Sequence, residues 1–68
     1  MFSILMIAGF VKMGSVDYIS NGYAVIEYVE NSVIRYIDVS LNNAECQPEE
    51  GDTVFFDHSK IVKCLHKP

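Results

Sequence analysis

The stretch from Pro48 to Leu65 constrains the fold of this 68-residue chain more than any other segment. Glu49-Glu50-Gly51-Asp52 reads as a turn built on Gly51, and Thr53 to Phe56 reads as an alternating strand. Asp57-His58-Ser59 is a polar break, and Lys60 to Leu65 returns as another strand. A hairpin of this kind is how a small closed β-barrel finishes. Strand alternation directs Val54 and Phe56 inward, sets Ile61 and Leu65 on one face, and sets Val62 and Cys64 on the other.

Polar clusters cut the whole chain into five apolar runs rich in Val, Ile, Tyr and Phe, the residues that suit a pleated surface. The first run, Ser3 to Met13, is apolar at both parities, as a strand buried on two sides would be, with Gly9 marking a bend. It is too short to span a bilayer and lacks the basic start and cleavage site of a signal peptide, so neither a membrane nor a targeting role is expected. Gly14 to Gly22 reads as turn-rich, closing on Asn21-Gly22. Strands are then expected over Tyr23 to Val29 and Val33 to Val39. A three-residue loop, Glu30-Asn31-Ser32, would set Glu27 opposite Arg35, Val25 opposite Ile37 and Val29 opposite Val33. A two-residue loop would set Tyr28 opposite Arg35 and Ile26 opposite Ile37, and expose the other face. The cross-strand ion pair favours the first register. Ser40 to Glu50 is a polar crossing with Leu41 as its buried residue and one short helical turn at Asn42 to Cys46. No segment has the period of a longer helix. The expected architecture is a single all-β domain over residues 1–68, a five-stranded barrel of OB-like or SH3-like type.

Half of the residues are hydrophobic, a large share for a domain of this size. In either register the second hairpin carries apolar groups on both faces, and one small core cannot bury both. The expected interaction face is Ile26, Tyr28, Ile34 and Tyr36. The net charge is −4, and Lys12, Arg35, Lys60, Lys63 and Lys67 are scattered, so nucleic acid is disfavoured as a partner. Two cysteines do not make a secreted disulfide scaffold; Cys46 and Cys64 read as reduced thiols in a cytoplasmic protein, with a disulfide only if the chain is exported.

Chemistry is sparse. A metal site would need Cys46, His58, Cys64 and His66 to converge, and the chain has no C-x-x-C knuckle. Cys64 with His58 is the one thiol–imidazole pair, without an evident third group or oxyanion hole. Asp38, Asp52 and Asp57 are available as paired carboxylates, but Asp52 and Asp57 suit turn capping. No phosphate-binding glycine loop occurs. Neither catalysis nor a cofactor is expected.

The order of Ile7-Ala8-Gly9-Phe10-Val11, Ala24-Val25, Val39-Ser40-Leu41 and Gly51-Asp52-Thr53-Val54 with Ile61 resembles that of the HypC/HupF hydrogenase-maturation chaperones. The resemblance implies an OB-like barrel. That family holds iron and grips its partner with a cysteine directly after the initiator Met, where this chain has Phe2, and its proline before the early glycine is Ala8 here. The resemblance therefore implies the barrel without the metal chemistry. The expected function is a non-enzymatic protein-interaction module that self-associates through an apolar strand face. The rival readings are a single-stranded nucleic-acid module using Tyr28, Tyr36, Lys60 and Lys63, a metal carrier using Cys46, Cys64 and His66, and a viral or mobile-element accessory protein that inhibits a host enzyme.

Overall fold

The computed structural model describes residues 11–67. Five strands follow in order: β1 (Lys12–Ser20), β2 (Tyr23–Glu30), β3 (Val33–Ser40), β4 (Thr53–Asp57) and β5 (Lys60–Leu65). They form one antiparallel sheet in the order β3-β2-β1-β4-β5. The edge strands β3 and β5 approach each other without pairing, so the sheet curls but is not closed. No helix occurs among the described residues. The expected helical turn at Asn42 to Cys46 is instead a bent crossing with one local hydrogen bond, Ala44 N to Leu41 O at 3.4 Å.

The central strand differs most from expectation. Of the strand expected over Ser3 to Met13, residues 3–10 lie outside the described range, as do Phe2 and most of the early positions of the family resemblance. Lys12 and Met13 open β1, which runs on through the segment read as turn-rich, and only Asn21-Gly22 turns. Gly14 is there because of a close approach. A Cβ at this position would lie 2.6 Å from Glu27 O and 2.7 Å from Ile26 Cγ2. Ser15, Asp17 and Ser20 stay exposed while Val16 is buried, so the polar residues mark the solvent face of a strand. A bulge between Val16 and Tyr18 takes up Asp17 as an extra residue.

The β2–β3 hairpin adopts the two-residue register. Ile26 faces Ile37, Tyr28 faces Arg35, and Glu30 faces Val33. Asn31 and Ser32 have φ of 54° and 65°, the two left-handed residues that a type I′ hairpin turn requires. The turn matches the strand twist, and the register puts Ala24 and Ile26 on the same side as Val39. Glu27 therefore does not meet Arg35; it faces Tyr36. In the β4–β5 hairpin a register shift leaves Val62 without a partner, placing Ile61 opposite Phe56 and Cys64 opposite Val54. Leu65 then faces Thr53 on the outer side and is exposed, rather than sharing a face with Ile61.

Among the described residues the core is one layer of seven buried hydrophobic side chains, Val16, Ala24, Ile26, Val39, Val54, Phe56 and Ile61, drawn from all five strands. Gly14→Ala is expected to destabilise the fold by about 1–3 kcal/mol, because the neighbours are backbone and a packed isoleucine. Ser32→Gly is expected to stabilise it by about 0.5–1 kcal/mol, the relieved left-handed strain less the added unfolded-state entropy. Urea denaturation of both variants checks these signs.

Candidate functional site

The four residues expected to form one surface do not share a face. Ile26 is fully buried, and Tyr28 points inward, its ring 5.3 Å from that of Phe56 at 72°. Ile34 and Tyr36 point outward and are 58% and 60% exposed. The two-residue turn accounts for the split, because it gives β2 and β3 opposite parity to the arrangement that would join them. The outward partners are instead Val29, which faces Ile34 and is 67% exposed, and Val25, which faces Asp38 on one side and Tyr18 on the other. Val29 and Tyr18 were hidden in the sequence because only the register reveals that they join Ile34 and Tyr36.

On the inner side, at the same end of the sheet, Glu30 collects two cations. Lys12 Nζ lies 2.6 Å from Oε2 and Arg35 Nε 3.2 Å from Oε1. Lys12 also stands 5.5 Å from the centre of the Tyr28 ring. The hydrogen bond to Glu30 raises the Lys12 pKa, and the same bond lowers that of Glu30. These groups are well exposed, so the cluster orders side chains more than it stabilises the fold. Lys60 is also engaged, 2.8 Å from Glu45. With Lys12, Arg35 and Lys60 each beside a carboxylate, no basic groove forms along the described strands.

Cys46 and Cys64 are joined in a disulfide, with Cα atoms 6.0 Å apart, which corrects the reading of both as reduced thiols. Cross-strand pairing of Cys64 with Val54 brings it to the inner margin, where the crossing segment delivers Cys46. The loop spans 18 residues, for which chain entropy gives roughly 3 kcal/mol of stabilisation. With both sulfurs in the bond, neither the four-residue metal set nor the Cys64–His58 pair assembles. His58 sits in the exposed turn and bonds Asp57 at 2.7 Å.

Asp52 is the buried polar centre, 1% exposed. It closes the turn that precedes β4: its amide donates to Glu49 O at 3.0 Å, while its Oδ2 accepts the Glu49 amide at 2.8 Å and lies 2.6 Å from His66 Nδ1. Gly51 has φ of 89°, which only glycine adopts freely. The main chain of Asp52 also accepts from Val16 N at 2.9 Å, which fixes β4 beside β1. Among the described residues its Oδ1 has no hydrogen-bond partner. Burial pushes the Asp52 carboxyl up, but the Glu49 amide, the His66 imidazole and the Lys67 amide outweigh it and leave the pKa below its usual 3.8. Asp38, on the outer face of β3, and Asp57 are elsewhere, so no carboxylate pair forms.

Glu49, Asp52 and His66 offer donor atoms within 4.8 Å of one another. Two donors on one tetrahedral ion with bonds of about 2.0–2.2 Å stand roughly 3.4 Å apart. The 2.6 Å Nδ1···Oδ2 contact is shorter than that and is a hydrogen bond. The arrangement ties the crossing turn to the end of β5. Neither the protein-family models nor the curated proteins and solved structures compared with this chain match it.

The depressed Asp52 pKa contributes stability at neutral pH that is lost as pH falls through the folded value, below about 3.8. Asp52→Asn removes this linkage while keeping the shape. The variant is expected to be less stable than wild type at pH 7, with the gap closing towards pH 3. Thermal melts across that range, read by circular dichroism, measure it.

Proposed function

We propose that this chain is a non-enzymatic protein-interaction module that self-associates through the outward face of β2 and β3. The observation that carries the reading is the exposure of Val29, Ile34 and Tyr36 on adjoining strands, at 67%, 58% and 60%. Such a patch on a small domain is a contact surface in waiting, with an aromatic anchor of the type that dominates interface energetics. Charge favours a particular mode. Glu27 and Asp38 border the patch and the chain carries −4, so two copies repel at long range and attract at contact. Salt screens the repulsion and leaves the apolar term.

The fold reading that accompanies this proposal is an open OB-like barrel. An OB barrel unrolled between its third and fifth strands has the order β3-β2-β1-β4-β5, and here β3 and β5 are the edges that face each other. The nucleic-acid reading draws less support, because Tyr28 and Tyr36 lie on opposite faces and Lys60 is occupied by Glu45. The metal-carrier reading loses Cys46 and Cys64 to their disulfide. That bond also supports an oxidising compartment over the cytoplasm, where thiols are kept reduced. No described helix is long and apolar enough to cross a membrane.

Sedimentation equilibrium tests the proposal. Association is expected at micromolar concentrations, tightening between 0.05 and 0.5 M salt, and Tyr36→Ser is expected to weaken it at least tenfold, as loss of an interface anchor does. A strict monomer throughout, with no protein partner captured, would sink the proposal, and tight binding of single-stranded DNA that weakens with salt would replace it with the rival.

A further inference from the structure

We propose that the Cys46–Cys64 disulfide is a reversible latch, opened by a dithiol reductant, that governs access to the free edge of β5. The crossing segment lies along this edge. Glu45 N donates to Ile61 O at 2.9 Å, the Glu45 carboxylate meets Lys60 at 2.8 Å, and the next residue, Cys46, is bonded to Cys64. β5 is the last of the described strands in the sheet, and Ile61 O is the outward backbone group that this segment meets. Among the described residues the two sheet edges are treated differently: no segment pairs along β3, and the crossing lies beside β5.

Three observations make the guard releasable. The bond lies at the margin of the core: both cysteines are only partly buried, and neither belongs to the buried cluster. The segment is anchored at both ends without the sulfurs, by Leu41 N to Gly22 O at 2.9 Å and by the Asp52 turn, so opening frees a loop and leaves the strands pinned. Once the bond is open, the part of the segment beside β5 is held by the Glu45–Ile61 hydrogen bond, the exposed Glu45–Lys60 pair and the packing of Ala44 on the core, and exposed pairs hold weakly.

The chemistry is ordinary exchange. A thiolate of the reductant attacks one cysteine sulfur, giving a mixed disulfide and releasing the other as a thiolate. The second thiol of the reductant then closes its own disulfide and releases the first cysteine. Two electrons and two protons pass to the protein, which gains two thiols, and the reductant leaves oxidised.

The experiment uses the full chain and dithiothreitol under native conditions. Thiol titration is expected to find no free thiols before treatment and two per chain after it. Hydrogen exchange is expected to rise at least tenfold at the Glu45 amide, the donor to Ile61 O, while Val16, Ala24, Ile26 and Val39 keep their protection. The double variant Cys46→Ser with Cys64→Ser should show the same pattern without reductant. A bond that opens only in denaturant would overturn the proposal. So would equal loss of protection throughout the core, unchanged exchange at the Glu45 amide, or a double variant that does not fold, since each makes the disulfide a structural staple.

Discussion

Ile26 is the point on which the sheet depends. It lies fully buried between Val16 of β1 and Ile37 of β3, and it is the largest side chain that β2 gives to the buried core, where Ala24 sits between Ile19 and Val39 in the same way. Because side chains alternate along a strand, committing Ile26 to the interior commits Ala24 with it and sends Val25 and Val29 outward. The same commitment selects the two-residue turn, the approach of β1 that leaves room only for Gly14, and the outward position of Tyr36. A single parity choice propagates through three strands. The contact face proposed here is the remainder of that choice: what the core cannot take stands on the other side.

The second organising contact is polar. Asp52 joins three parts of the chain that sequence separates: the turn at Glu49, the bulged middle of β1 and the histidine after β5. A buried carboxylate is tolerated only when such partners replace water. The core and this clamp together explain how a crossing without a helix can still hold β4 against β1. The disulfide adds a covalent tie where the hydrogen bonding is thinnest, at the outer side of β5.

Much of this was legible in the residues. The strands β2 to β5 and the burial of Val54, Phe56 and Ile61 follow from alternation, and the turns at Asn21-Gly22 and Gly51 follow from their residues. Other features were not legible, each for a physical reason. Gly14 carries the same letter whether it turns a chain or lets two backbones touch, so β1 was taken for a loop. Ser32 is an unusual occupant of a left-handed position, and the Glu27–Arg35 charges offered a local reason for the longer loop that core burial overrides. The bulge near Val62 shifts the parity of β5, which no pattern of apolar residues announces. The pairing of Cys46 with Cys64 depends on where the crossing lands, and the inward aim of Tyr28 depends on the register. That one cause turns Ile26 and Tyr28 inward and leaves Ile34 and Tyr36 exposed.

The crossing between β3 and β4 also sets the order in which the chain can assemble. The β1–β2–β3 meander needs only two-residue turns, and so does the β4–β5 hairpin, so each closes over short loops at little entropic cost. Joining them requires Lys12 to find Phe56 and Ser15 to find Thr53 across the length of the meander. That search is the slow, non-local step. In the folded chain Cys46 meets Cys64 where the crossing is laid over β5, so the sulfur bond ties together the last two parts of the chain to be joined.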